Sequence, residues 1–347
     1  PVRRPLQRIY KLIRLNRLIL NHRVKLFSVW MAHQLKLRHM FLRFDRVMAC
    51  NLRCTMCYFS DEEYRRKAKG IFKKEEIERI AELLFPRTLQ LVIGCGTEPT
   101  LYKEYADIIQ IAKSYAVPFV GFTSNGMLLT DESIAKFIEY GLDELALSIH
   151  GVKKETYERF MVNASFEKFL DVLGKLDSLK KARNTSHPNL RLNYTVNSEN
   201  LEELGQLFEV FGTYNVKTLQ VRPVMDIGGQ FRTPLLKSEI EKYNSIVSEL
   251  STVCKIRGMT FLANTVDPSY QTANYNSIIL EAVKRYISPE VVWRRDFNWK
   301  MESYDEFCKR IGWSRFLLKS MFSSKNDLAE HNTSFSGKYA ARYEVSF

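Results

Sequence analysis

The stretch FLRFDRVMACNLRCTMC, from Phe41 to Cys57, decides how this chain reads. Its first half, Phe41–Met48, has the composition and alternation of a β-strand. Its second half places Cys50, Cys54 and Cys57 in a C-x3-C-x2-C spacing on the loop that leaves that strand. Three thiolates on one short loop can hold three irons of a cubane and leave the fourth iron open to a ligand, whereas four thiolates make mainly an electron carrier. The competing reading is zinc. A structural zinc wants four ligands, usually paired C-x2-C units or cysteines with histidines. The nearest histidine, His39, precedes the strand. Spacing alone favours iron–sulfur and leaves zinc open.

Outward from this stretch the chain alternates between two periodicities. Strand-like runs recur at Leu89–Ile93, Phe119–Thr123, Glu144–Ile149, Leu190–Val196 and Thr218–Val221. Between them run apolar stripes of helical period, such as Ile77, Ile80, Ala81 and Leu84, or Phe166, Phe169, Leu170 and Leu173. The last stripe, Leu201, Leu204, Leu207 and Phe208, has Asn200 and Glu203 placed as a capping pair. Strands alternating with helices predict an α/β fold built on a parallel sheet, here a partial (β/α)6 TIM-like barrel. Chemistry is then expected at the C-terminal ends of the strands. Residues 41–229 form this core. Residues 230–347 read as a C-terminal covering segment, taken as substrate-determining. Within it, Ser238 and Glu241 are placed to cap a helix, and Met259–Ala263 to add a strand.

Composition bounds the class. Hydrophobic residues make up 45% of the 347 and charged residues 26%, which excludes disorder as the main state. No apolar run reaches the roughly 18 residues of a membrane span. Three of the six cysteines crowd into the loop, unlike a secreted disulfide framework. That clustering, with no signal peptide in view, predicts a reducing, cytoplasmic setting. The net charge of +13 is concentrated at one end: residues 1–40 hold ten Lys and Arg and no Asp or Glu. This arm interleaves basic and apolar side chains as basic amphipathic helices do. Residues 1–38 are therefore expected to meet an anionic membrane surface, peripherally on the inner face of the cell membrane. The competing reading packs the apolar side of the arm on the barrel. Nucleic acid is not expected, because the arm has few stacking aromatics and matches no binding module.

Polar motifs fall at successive strand ends. GCGTEP, Gly94 to Pro99, follows the second strand; TSNG, Thr123 to Gly126, the third; SIHG, Ser148 to Gly151, the fourth. Asn193 to Asn197 end the fifth strand, and Arg222 and Pro223 the sixth. Together with the cysteine spacing, this order over roughly residues 41–229 resembles the radical SAM superfamily, where SAM is S-adenosylmethionine. The resemblance implies that Cys50, Cys54 and Cys57 hold a [4Fe-4S] cluster whose open iron binds SAM. It implies SAM contacts at Gly96, Thr97 and Glu98, with the Glu98 carboxylate on the ammonium of SAM, where glycine permits close approach. It extends to Ser124, Asn125, Ser148, Asn193 and Arg222 for ribose and carboxylate, and to Met56 for a backbone contact near adenine. It implies an external reductant of flavodoxin or ferredoxin type, and a 5′-deoxyadenosyl radical that abstracts hydrogen from a substrate, lipid-linked if the arm meets a membrane.

The chain departs from the common pattern in three places. Met56 stands where an aromatic residue is frequent. Met161 stands where peptide-modifying relatives often carry an Arg, with Arg159 nearby. Only Cys254 and Cys308 follow the core, too few for an auxiliary cluster. Cys95, beside the Gly94–Glu98 motif, is read as a buried small hydrophobe, with hydrogen-atom donation by Cys95, Cys254 or Cys308 as the sharper alternative. Other functional readings are a zinc-binding structural or nucleic-acid-binding protein, a SAM-cluster protein without turnover, and one that modifies a peptide.

Overall fold

A computed structural model describes residues 18–224, 235–263, 282–323 and 344–346, with Lys11 and Leu15 before them. Its centre is a run of parallel strands. These are β1 (Met40–Phe44), β2 (Thr88–Ile93), β3 (Phe119–Ser124), β4 (Glu144–Ile149), β5 (Asn189–Val196), β6 (Val216–Pro223) and β7 (Thr260–Ala263). Each lies beside its predecessor, while β8 (Lys284–Ser288) returns to pair in parallel with the other side of β1. β9 (Val291–Val292) and β10 (Glu344–Ser346) add antiparallel edges to β8 and β7. Helices such as Lys74–Leu84, Asp107–Ser114, Asp131–Glu139 and Phe166–Ala182 fill the crossovers. The α/β class and the partial TIM-like barrel expected from the sequence are what the chain adopts. The expected strand at Met259–Ala263 is β7. β8 was not expected, because KRYIS carries two charges in five residues and follows no helical stripe.

Strand register sorts residues onto two faces. Aligned residues of neighbouring parallel strands share a face, and successive residues alternate. Phe44, Ile93, Phe122 and Leu145 align across β1 to β4, and Leu147 aligns with Leu192 and Leu219 across β4 to β6. All are fully buried, and Phe122 lies 4.8 Å from the ring of Phe137 on the Asp131–Glu139 helix, so this face meets the helices. The opposite face looks into the barrel and is rich in polar residues, with Phe41, Val92 and Phe119 interspersed. Arg43 aligns with Tyr286, Ser148 with Asn193, and Asn193 with Gln220. Arg191 on this face donates to Asn193 Oδ1 at 2.8 Å, also donates to Gln220, and sits 3.3 Å from Glu144. A polar inner face surrounded by an apolar outer one marks a barrel built to receive a polar guest rather than to fill itself with aliphatic layers.

Two local expectations are corrected. Glu203 does not cap its own helix. It reaches across to accept from Val152 N, Lys153 N and Thr156, at the start of the Lys154–Phe160 helix. Asn200 meanwhile ties the β5 loop to β4 by donating to His150 O at 2.9 Å. The Leu201–Phe208 stripe is correspondingly split into two short helices, Leu201–Leu204 and Leu207–Phe211. The long helix expected to start at Ser238 begins at Lys237, and Glu239 rather than Glu241 caps it, accepting from Leu236 N at 2.7 Å.

The N-terminal arm is described from its second half. The His22–Gln34 helix buries Leu26 and Val29, and Trp30 Nε1 donates to Ser314 Oγ at 2.9 Å on the Trp313–Phe322 helix. This part of the arm therefore packs on the body, as the competing reading required, while most of residues 1–17 lie outside the described residues. Among the described residues no helix is long and apolar enough to cross a membrane.

Lys284, on the inner face of β8, is pushed down to about 7 from 10.5 by burial, with Arg43 adding to the effect. Between about 7 and 10 the unfolded chain holds a proton that the folded chain has lost, so stability rises with pH by up to about 1.4 kcal/mol per unit. Below about 7 that contribution is gone. In urea titrations, Lys284→Met is expected to flatten the rise of unfolding free energy between pH 7 and 9. An unchanged slope would remove the buried lysine as its source.

Candidate active site

The cysteine loop leaves the C-terminal end of β1 and is held from outside. Arg53 N donates to Val162 O and Thr55 N to Phe160 O, both at 3.0 Å. Arg53 Nη1 closes the loop on itself by donating to Cys50 O at 2.7 Å and Leu52 O at 2.8 Å. Ser60 Oγ donates to Cys57 O at 2.8 Å. These bonds fix three thiols on one short loop without a disulfide. Burial pushes the Cys50 thiol up to about 12 and the Cys54 thiol well above its ordinary value, and the neighbouring thiols add to both. The three are near enough to oppose one another's ionisation, yet among the described residues no three ligating side chains converge on a single metal ion.

The glycine loop after β2 faces this cysteine loop. Gly94 has φ +79°, and a Cβ there would meet Thr123 O at 2.3 Å, so only glycine fits. Gly94 N donates to Phe44 O and Glu98 N to Ala49 O, each at 2.9 Å, stitching the loop to the exit of β1. Glu98 is 2% exposed. Its carboxylate accepts from Ser124 Oγ and from Asn125 N, each at 2.8 Å, and from both Thr100 N and Thr100 Oγ1. Burial raises Glu98 above the usual carboxylate range, and these hydrogen bonds are the principal opposing cause. Asn125 Nδ2 then donates to Asn51 Oδ1 at 2.8 Å. One chain of bonds thus runs from β2 through Glu98 and the end of β3 into the cysteine loop.

The remaining positions singled out from the sequence are distributed around this pair of loops. Ser124 follows the helix-facing parity of β3 and supports Glu98 from within the wall. Ser148 and Asn193 are register neighbours on the inner face. Arg222 is exposed at the end of β6 and donates to Thr195 Oγ1 at 3.3 Å. Met56 is buried with Phe160 and Val224, and its sulfur accepts from Asn197 Nδ2 at 3.2 Å. Arg159 is paired with Glu199 on the surface, and Met161 is fully buried. Cys254 and Cys308 lie in the main hydrophobic core, whereas Cys95 is only partly buried and feels Arg43, Asp45 and Lys284.

Several participants carried no signal of spacing. Asp45 accepts from Cys95 N and Gly96 N, Asn51 reaches Asn125, and Tyr58 donates to Gly96 O. Tyr286, from β8, donates to Asp45 at 2.7 Å. The alternation of Phe41, Arg43 and Asp45 along one face of β1 is the one trace of this in the sequence.

The fold and the paired strand-end loops define a class. Residues 47–211 match the profile of the Radical SAM superfamily, and the chain belongs to that superfamily. It is thereby an enzyme of SAM-dependent radical chemistry that uses SAM and an iron–sulfur cluster. In sequence, the chain is 27% identical over 251 residues to a probable GTP 3′,8-cyclase of Saccharolobus islandicus, covering 72% of this chain and 75% of that one. A homologue with the same description from Sulfurisphaera tokodaii is 24% identical, covering 72% and 74%. Among solved structures, SuiB of Streptococcus suis bound to S-adenosylmethionine superposes with a TM-score of 0.58 at 12% identity. That match covers 75% of this chain and 61% of SuiB, so the chain spans less than two thirds of that protein. The likeness concerns the fold.

The residues present fit the cofactors that this membership implies. Three thiols on one loop are the donor set of a cluster with one open iron. The raised pKa values of Cys50 and Cys54 mark a site in which bound iron, by favouring the thiolates, would reverse the cost of gathering them. Buried Glu98, compensated by hydrogen bonds, is a carboxylate on which an ammonium would favour the charged form. Glu98→Gln turns an amide NH2 towards groups that are themselves donors. It is expected to lower unfolding free energy by about 1–3 kcal/mol, read by urea unfolding of the apo protein. Wild-type stability would mean that the bracket around Glu98 contributes nothing.

Proposed function

We propose that Cys50, Cys54 and Cys57 hold a [4Fe-4S] cluster and that the barrel mouth binds SAM beside it. The observation that carries this reading is the cysteine loop pinned opposite the Gly94–Glu98 loop at adjacent strand ends. With an electron from an external flavodoxin- or ferredoxin-type protein, the bound cluster and SAM supply a 5′-deoxyadenosyl radical able to take hydrogen from an unactivated C–H bond. The chain's own contribution is placement. Gly96 and Thr97 offer backbone close to the cluster, and Glu98 takes the ammonium of SAM. Ser148, Asn193 and Arg222 line the path towards its ribose and carboxylate. Ser124, Asn125 and Met56 hold the walls that these residues stand on. The polar inner face, with its Arg191–Glu144–Gln220 network, receives the substrate and keeps bulk water from the reacting centre. The two sequence relatives are described as probable GTP 3′,8-cyclases, and a nucleotide is a polar guest of the kind such a barrel takes.

Anaerobic reconstitution tests the reading. The wild-type protein is expected to bind close to four irons per chain and to release 5′-deoxyadenosine from SAM under reduction. Cys50→Ala, Cys54→Ala and Cys57→Ala should each abolish both. Zinc content with no SAM cleavage would instead establish the structural-metal reading.

A membrane-surface location is a second reading, favoured by the exposed apolar residues Leu18, Leu20, Val24 and Phe27 beside an arm rich in Lys and Arg. Phe322, on the helix that packs against the arm, is 78% exposed. A cytoplasmic enzyme held on the inner face of the membrane would reach a lipid-linked substrate from there. In flotation with anionic phosphatidylserine vesicles, the full chain is expected to rise with the lipid, and Val24→Glu/Phe27→Glu to stay in the soluble fraction. Equal flotation of both would sink the idea.

A further inference from the structure

Asp45 is the first residue after β1. It is fully buried, yet its side chain is a carboxylate, and it belongs to neither the cysteine nor the glycine motif. Its Oδ1 accepts from Cys95 N at 2.7 Å, and its Oδ2 accepts from Gly96 N at 2.9 Å and from Tyr286 Oη at 2.7 Å. Two successive backbone amides of the glycine loop therefore converge on one carboxylate, and a phenol from β8 fixes that carboxylate in turn. Asp45 N also donates to Ile287 O at 2.8 Å, so β8 holds both the backbone and the side chain of this residue.

Gly96 sits inside the clamp. A Cβ there would lie 2.6 Å from Tyr58 Oη, 3.1 Å from Asp45 Oδ2 and 3.5 Å from Tyr286 Oη. Tyr58, one residue past Cys57, donates to Gly96 O. Gly96, which leads into Thr97 at the mouth of the barrel, is thus gripped at its N–H by Asp45 and at its C=O by Tyr58. Hydrogen bonds to a buried carboxylate are among the stronger ones, and a loop held by several of them has little freedom to adjust. Asp45 and Tyr286 both fall outside residues 47–211, so this support comes from parts of the chain beyond the superfamily match.

We propose that Asp45 and Tyr286 are positioning residues for SAM: together they hold the Gly94–Glu98 loop in the conformation that binds its methionine end, and β8 thereby completes the cofactor site. The proposal rests on the SAM-binding reading above. It assigns the region after residue 282 a role in cofactor affinity, in addition to any role in substrate choice.

The test uses the full-length protein reconstituted with its cluster under anaerobic conditions. Three quantities are measured for wild type, Tyr286→Phe, Asp45→Asn and the double variant: iron per chain, thermal midpoint, and the SAM dissociation constant by equilibrium dialysis. The change that SAM produces in the EPR signal of the reduced cluster is a second reading of occupancy. Tyr286→Phe removes one hydroxyl and keeps the ring, and is expected to weaken SAM binding about tenfold with iron content and thermal midpoint near wild type. Asp45→Asn should weaken it at least as much, and the double variant should fall short of the product of the two effects, because both act through one carboxylate. A purely structural role would lower the midpoint and leave the affinity of the folded protein alone. Wild-type SAM affinity in Tyr286→Phe overturns the proposal even if Asp45→Asn fails to fold. If the wild-type protein itself binds iron but no SAM, both this proposal and the reading it rests on fall. Wild-type binding with an unaffected Tyr286→Phe variant overturns this one alone.

Discussion

A carboxylate taken out of water must be given hydrogen bonds or lose its charge. Asp45 and Glu98 meet that requirement with backbone amides from the loops at the ends of β2 and β3. The arrangement works in both directions. The amides stabilise the carboxylates, and the carboxylates dictate where the amides stand. Because Asp45 takes the amides of Cys95 and Gly96 while Glu98 is anchored by Ser124, Asn125 and Ala49, the loop has its path set at both ends. The cysteine loop is joined to the same system through Asn51 and Asn125, and through the bond from Glu98 N to Ala49 O. The thiols and the glycine loop are consequently parts of one rigid unit.

The sheet supplies the ground for this unit. Helix-facing residues such as Phe44, Ile93, Phe122 and Leu145 are aliphatic or aromatic and fully buried. The inner positions on the same strands are Arg43, Glu144, Ser148, Arg191 and Asn193. Alternation of two along a parallel strand is uncommon in a sheet covered on both faces, which usually reads as continuous apolar sequence. Here it separates structural from functional duty within each strand. The inner polar groups are costly to bury and are therefore paired, as Arg191 is with Glu144, Asn193 and Gln220.

Much of the fold was legible from local pattern. β1 to β6 and most helices follow from hydrophobic period, and the crossover rule makes the sheet parallel. The capping pair at Asn200 and Glu203 had the right spacing and the wrong partner. Glu203 has the donors of the Lys154–Phe160 helix within reach, and three of them outweigh the one that a local cap would offer. β8 was illegible for a related reason. Its inward residues are charged and polar because they face the barrel interior, and a short strand of that composition looks like a loop until its neighbours are known. In the arm, the basic and apolar pattern was equally compatible with a membrane and with the body. The burial of Leu26 and Val29 shows only that one side of the His22–Gln34 helix packs on the body.

What the sequence determined by itself was the order of the polar motifs: Cys50, Cys54 and Cys57 at one strand end, with Gly94–Glu98 and Ser124–Asn125 at the next two. These are contiguous in the chain, so spacing and order are enough to read them. What only the tertiary structure decided was how that site is held. Tyr286 and Asp45 are 241 residues apart, and Trp30 and Ser314 are 284 apart. No periodicity records such pairs, because they form only when β8 and the closing helices return to the first strand. The chemistry is therefore written in short motifs, and the precision with which the chain presents it depends on contacts between its two ends.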